Sequence, residues 1–123
     1  MKSLITFSLF FVSISVFSQI RLLEVDEFKQ VVGNKNVQII DVRTPYEYNS
    51  GHIQGAVNID YYASDFEKQL AKLDKNIPIY FYCHSGVRSA KAAKTMKALG
   101  FTKIYDLKGG MVAWKKAGLK VSR

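Results

Sequence analysis

Residues 83–89 read Cys-His-Ser-Gly-Val-Arg-Ser, and Cys83 is the single cysteine among 123 residues. A thiol does covalent chemistry as the thiolate, and a free thiol near pKa 8.5 is mostly protonated at neutral pH. Three features of this stretch favour the anion. A helix-like run begins directly after it, so unsatisfied N–H groups and a positive helix end point back at the sulfur. Arg88, five positions on, is permanently charged. Gly86 lets the backbone turn successive N–H groups inward as an anion-binding nest, and the hydroxyls of Ser85 and Ser89 add donors. The pattern is that of a sulfur nucleophile, expected to be ionised and open to solvent. The bland alternative, an inert core cysteine, does not account for the glycine, the arginine and the serines that follow.

The elements that would hold this loop alternate along the chain. Val25–Val32 reads as a first helix, ended by Gly33 and Asn34. Val37–Val42 is a short β-branched run of the kind that forms a strand covered on both faces, ending near Arg43 before Pro45. Residues 51–59 form a glycine-bearing loop ending in a short strand around Ala56–Asn58. Ser64 is expected to cap a helix over Asp65–Leu73, with Glu67 at the capping-box position. Ile77–Cys83 is a second buried strand. The run from Ser85 to Gly100 is a loop feeding a helix, with Ala90, Ala93, Met96, Ala98 and Leu99 as its small-residue face and Gly100 just past its end. Residues 101–107 are a further strand, and two glycines turn the chain into a last helix near Met111–Lys116. Strands alternating with helices imply crossovers and a parallel sheet. Ligands of such sheets bind at the carboxyl ends of strands, which is where Cys83 falls.

The length suits one domain, and an apolar content of 48% is enough for a core without staples. The formal net charge of +8 comes from scattered lysines on helix faces. It provides a field for small anions, with no dense basic cluster of the kind nucleic acid requires. The N-terminus differs in kind: Lys2, then a nearly charge-free apolar stretch from Leu4 to Phe17, then Ser18. That is the pattern of a secretory signal peptide over residues 1–18, cut between Ser18 and Gln19, and the stretch is short for a membrane span. The expected mature chain, 19–123, is exported to a periplasm or secreted and is not stably inserted in a membrane. Two histidines and one cysteine are too few for a structural zinc site. No phosphate loop, dinucleotide fingerprint or H-E-x-x-H motif is present, so neither metal nor cofactor is expected.

Three stretches in order carry a family resemblance. Residues 83–89 resemble the C-x-x-G-x-R-S loop of the rhodanese-like sulfurtransferases. Asp41–Ile59, "DVRTPYEYNSGHIQGAVNI", is similar to that family's upstream signature, and Gly109–Trp114, "GGMVAW", to its G-G-x-x-x-W element. The resemblance implies an α/β three-layer fold: a central, mainly parallel sheet of about five strands with helices on both faces. It also implies sulfur transfer by Cys83. The thiolate takes the outer sulfur of a donor such as thiosulfate, and the loop from His84 through Ser85, Gly86, Val87 and Arg88 to Ser89 holds the persulfide. A thiol, cyanide or a protein acceptor then removes the sulfur. Four residues separate Cys83 from Arg88. Phosphatase relatives of the fold have five, so the shorter loop favours sulfur over phosphate. A persulfide carrier serving a dedicated partner with little turnover is the alternative, and a non-catalytic scaffold would need neither Cys83 nor Arg88.

The remaining polar residues near the expected site read as supports. Arg43 is expected to pair with Glu47 four residues on, and Asp41 to hold loop amides or Arg88. His84 reads as lining rather than as a base, and His52 as a satisfied loop histidine. Trp114 is expected to cover the core beside the pocket, and Tyr61 and Tyr62 to flank its entrance.

Overall fold

The computed structural model describes residues 3–11 and 19–123. Residues 3–11 are exposed and belong to no helix or strand. The rest of the expected signal peptide, including Ser18 on one side of its cut, lies outside the described residues. No described helix is long and apolar enough to cross a membrane.

Five strands form one parallel sheet. They are β1 (Gln19–Leu23), β2 (Gln38–Asp41), β3 (Val57–Asn58), β4 (Ile79–Tyr82) and β5 (Lys103–Leu107), in the order β1-β5-β4-β2-β3. The helices are α1 (Val25–Phe28), continued as a 3-10 turn over Lys29–Val31, then α2 (Pro45–Asn49), α3 (Phe66–Ala71), α4 (Val87–Ala98) and α5 (Gly110–Lys116). Period-two alternation divides the three inner strands, β2, β4 and β5, between two cores. Ile40, Ile79, Phe81 and Ile104 face one cluster with Phe66 and Leu70 of α3 and Met96 of α4. Ile39, Tyr82 and Leu107 face the other with Phe28 of α1 and Met111 and Trp114 of α5. Full burial of side chains of this size is worth roughly 1.5–3 kcal/mol each. The α/β three-layer reading therefore holds.

Four local expectations change. β1 was absent from the sequence reading because it is an edge strand: four of its five residues are exposed, so it has no buried run to show. α2 was also absent. Thr44 caps it, accepting from Glu47 N at 3.3 Å, while Glu47 Oε1 accepts from Thr44 N at 3.2 Å, with Pro45 at the first helical position. Pro45 ends β2 and starts this helix in one step. Ser64 does not cap α3; the N-cap is Asp65, with no side-chain cap hydrogen bond. The buried face of α4 is Ser89, Ala92, Ala93 and Met96, a 3.6-residue stripe, while Ala90 and Ala98 are exposed. α4 ends in a Schellman motif: Phe101 N donates to Met96 O at 3.1 Å and Gly100 N to Lys97 O at 3.1 Å, with Gly100 at φ +101°.

Candidate active site

From β2 the chain moves outward to β3, and from β4 it moves the other way to β5. The carboxyl ends of β2 and β4 therefore flank the switch point of the sheet, where an open parallel sheet leaves a crevice. Cys83 directly follows β4, Asp41 ends β2, and Val42 and Arg43 follow it.

Gly86 is the N-cap of α4, with φ +113°. That left-handed turn, open to glycine, aims its amide at the cysteine: Gly86 N donates to Cys83 Sγ at 3.1 Å. Among the described residues it is the backbone donor to the sulfur. The twelve-residue α4 stands behind it with its positive end toward the loop. Ser89, one turn into α4 and fully buried, places Oγ 3.4 Å from Sγ and donates to Gly86 O at 3.2 Å. From the other side, α5 presses its first turn on the loop backbone, Met111 N donating to Cys83 O at 2.9 Å and Val112 N to His84 O at 3.0 Å. A Cβ on Gly110 would lie 2.5 Å from Cys83 O and 2.7 Å from His84 O. This explains the second glycine of the pair.

The sulfur is not open to solvent as expected: Cys83 is 1% exposed. The side chain belongs to the core cluster of Ile40, Val42 and Ala93, with Gly86 N and Ser89 Oγ at the sulfur, while His84, Ser85 and Val87 form the exposed outer part of the loop.

The charged partners are also distributed differently. Glu47 pairs with Arg88 and not with Arg43: Arg88 Nη1 and Nη2 reach Glu47 Oε1 and Oε2 at 2.7 and 2.9 Å. This two-pronged bond, with help from Thr44, lowers the Glu47 carboxyl from 4.5 to about 2. Arg88 is correspondingly held protonated, chiefly by its hydrogen bonds to Glu47, and its guanidinium lies 5.6 Å over the ring of Tyr62. Arg43 turns instead to Asp41. Its Nη2 reaches Asp41 Oδ2 at 2.7 Å, its Nε reaches both carboxylate oxygens, and Nη2 also donates to Gly51 O at 2.7 Å. Burial is the largest single influence and works against that charge, but the hydrogen bonds and charge of Asp41, joined by Tyr82, together outweigh it and raise the Arg43 pKa. Asp41 accepts the Arg43 amide at 2.9 Å, so it does hold a loop amide, though it does not hold Arg88. The pair fixes the β2 end against residue 51, and Glu47 ties α2 to the start of α4.

The model of the Rhodanese-like domain family matches residues 24–117. The chain belongs to that family. Among the rhodanese domain's relatives, the thiosulfate sulfurtransferase GlpE of Shewanella oneidensis is 33% identical over 100 residues, covering 81% of this chain and 97% of that protein. The uncharacterized protein YqhL of Bacillus subtilis is 39% identical over 110 residues, 88% of this chain and 84% of that one. The putative sulfur carrier protein YrkF of the same organism is 41% identical over 98 residues, 79% of this chain and 52% of that protein. A crystal structure of a rhodanese-like domain protein from Staphylococcus aureus superposes with a TM-score of 0.70 at 35% identity, covering 84% of this chain and 99% of that one.

Other residues of the rhodanese domain fall as follows. His52 is satisfied within its loop: Nδ1 hydrogen-bonds Tyr48 O at 3.0 Å, and the ring stacks on Tyr48 at 3.8 Å. Trp114 lies in the second core, edge-on to Phe28, its indole N–H donating to Lys120 O at 2.9 Å. Tyr62 is exposed beside Arg88, and Tyr61 packs edge-on to it and to Phe66. Two contributors escaped the sequence reading. Gly110 was read only as a turn. Asp106 on β5 is buried, and its signal was present: a carboxylate two places after Ile104 in a strand shares that residue's core face.

Proposed function

We propose that this rhodanese domain is a sulfurtransferase that carries sulfane sulfur on Cys83. The Cys83 thiolate attacks the outer sulfur of thiosulfate; a new S–S bond forms, the old one breaks, and sulfite leaves with the electron pair. The persulfide is held by the Gly86 amide and the N-terminal turn of α4, with the charge of Arg88 nearby. A thiol or cyanide then attacks the outer sulfur and releases the Cys83 thiolate. This is two-step covalent catalysis through a stabilised anion. The observation that carries the reading is the Gly86 N–H at 3.1 Å from Sγ, at the mouth of a twelve-residue helix. Its likeness to GlpE supports thiosulfate as donor. Thiosulfate enters by displacing the outer loop residues His84, Ser85 and Val87, whose side chains no core packing holds.

A carrier that loads sulfur and delivers it to one partner protein is the second reading. The enclosed sulfur and the likeness to YrkF favour it. The two separate by turnover: the enzyme forms thiocyanate from thiosulfate and cyanide through many cycles, and the carrier stops after one. In either case Cys83→Ser abolishes sulfur uptake, and full activity in that variant sinks both readings. The N-terminal segment supports export, with the mature chain beginning at Gln19; N-terminal sequencing of the protein from its native cells checks that cut.

A further inference from the structure

The domain buries most of its large apolar side chains, and the exceptions have a pattern. Tyr46, Tyr62, Val87 and Val112 are between 46% and 83% exposed, and each is tied to the Cys83 loop. Tyr46 of α2 precedes Glu47, which holds Arg88 with both carboxylate oxygens. The Arg88 guanidinium lies over the ring of Tyr62. Val87 belongs to the outer loop and is the first residue of α4. Val112 of α5 donates its backbone N–H to His84 O at 3.0 Å. Four separate parts of the chain thus bring an exposed apolar or aromatic side chain to one loop. Elsewhere between residues 19 and 123, the exposed large apolar side chains are Ile20, Leu22 and Val57, on the two edge strands. Single exposed apolar residues are ordinary, but a group gathered around one feature marks a contact surface.

The charge beside this rim is one-sided. α4 carries Arg88, Lys91, Lys94 and Lys97 and no carboxylate. Arg88 is held by Glu47, but the three lysines are exposed, and none forms a salt bridge among the described residues. Glu67 of α3 lines a groove together with Lys94 without pairing with it. Val87 and Lys91 are helical neighbours four apart, and Lys94 and Lys97 follow in steps of three. The lysines therefore form a band that starts at the loop and runs about 15 Å along the helix.

We propose that this face docks an acidic protein that takes the sulfur from Cys83 with a cysteine set among apolar side chains. Those apolar neighbours pack on Tyr46, Tyr62, Val87 and Val112, and carboxylates of the partner lie along Lys91, Lys94 and Lys97. The partner's thiolate bonds to the outer sulfur of the persulfide. The S–S bond to Cys83 breaks, its electron pair stays on Cys83 as thiolate, and the partner leaves as the persulfide. Cys83 is 1% exposed, and the outer sulfur stands only about 2 Å beyond Sγ, so an acceptor has to be held at the loop for the transfer. The rim does that holding, and the lysine band speeds the encounter and selects the sign of the partner. A polyphosphate backbone would use the band but not the apolar rim. The inference rests on Cys83 carrying the sulfur and names the kind of partner that the carrier reading requires.

The test uses synthetic peptides of about twelve residues, long enough to cover rim and band. Each has a cysteine between leucines, with glutamates in one and lysines in the other as the remaining residues; a third keeps the glutamates and replaces the leucines by serines. Binding to the protein is read by fluorescence anisotropy with serine in place of the cysteine, and sulfur transfer by mass from the persulfide-loaded protein. The acidic leucine peptide should bind and accept sulfur at least ~10-fold better than the basic one at low salt, and the preference should fade as salt rises. The triple variant Lys91→Glu, Lys94→Glu, Lys97→Glu should abolish that preference. Tyr46→Ser should cut the advantage of leucine over serine by at least ~3-fold. Transfer to 2-mercaptoethanol, a neutral thiol too small to span the surface, should keep its wild-type rate in both variants, whereas damage to the fold would slow it. Equal binding of the acidic and basic peptides, a preference that survives the triple reversal, an advantage of leucine that is absent or unchanged in Tyr46→Ser, or a single-stranded RNA that binds as tightly as the acidic peptide overturns the docking surface. A protein that takes up no sulfur on Cys83 overturns the sulfur-transfer reading, while the anisotropy still decides the docking surface.

Discussion

Glu47→Gln separates charge from shape at the junction of α2 and α4. Glutamine serves the capping box as well as glutamate, so the variant keeps one acceptor oxygen for Thr44 and Arg88 Nη1, and loses the charge together with the second acceptor, which now meets Arg88 Nη2. The carboxyl's drop from 4.5 to about 2, at about 1.4 kcal/mol per tenfold, sets an upper figure of ~3.5 kcal/mol. The side chains of Arg88 and Glu47 are 15% and 27% exposed, and screening at that depth brings the net nearer ~1–2 kcal/mol. The sign follows from the direction of the change. A folded-state carboxyl held below its unfolded value adds stability that is fully present above 4.5 and is lost as pH falls from there toward 2. Urea unfolding followed by the fluorescence of the single, buried Trp114 reads it. At pH 7 the variant should be less stable by ~1–2 kcal/mol, a drop in Tm of about 4–8 °C. Between pH 5 and pH 3 the two proteins should converge, because the wild type loses what the variant never had. Stabilities equal within about 0.3 kcal/mol at pH 7, or a gap that does not close in acid, would refute the view that this bridge ties α2 to the start of α4.

Asp106 has the opposite slope. Its carboxyl is raised from 3.8 to about 6, so its contribution is fully present below 3.8 and is lost as pH rises through 6. Asp106→Asn should therefore gain on the wild type by up to ~3 kcal/mol between pH 4 and pH 7 in denaturant titrations. Gly110→Ala should disrupt folding or abolish sulfur uptake, since its Cβ meets the carbonyls of Cys83 and His84 at 2.5 and 2.7 Å in a left-handed turn; calorimetry and loading by mass check it. Tyr82→Phe leaves the buried Ile53 N–H, now donating to Tyr82 Oη at 2.9 Å, without an acceptor. It should lower stability by roughly 1–3 kcal/mol with the sulfur chemistry intact.

The buried strands and the longest helix were legible because their signals are local. β-branched runs at 37–42 and 77–83 and a glycine after α4 mark elements whatever lies around them. β1 was not legible, because an edge strand carries no apolar run. The five-residue α2 was too short to show a period, though its Thr44–Glu47 box was in plain view. The turn of the loop was readable, since a glycine between the cysteine and a helix can aim its amide back at the sulfur, as Gly86 does. The choice of partners was not. Glu47 lies at helical spacing from Arg43, but β2 ends so that Asp41 meets that arginine first, and Glu47 turns to a residue 41 positions away. The enclosure of the sulfur was equally hidden, because it depends on residues of β2 and α4, such as Ile40, Val42 and Ala93, that meet the cysteine only in the folded core.

The most direct test is the mass of the intact protein after brief exposure to thiosulfate, with peptide mapping before and after reductant. The account predicts one added mass of about 32 Da, a single sulfur, located on Cys83, removed by reductant and missing from Cys83→Ser. An unmodified Cys83, or the same addition in the serine variant, would contradict it.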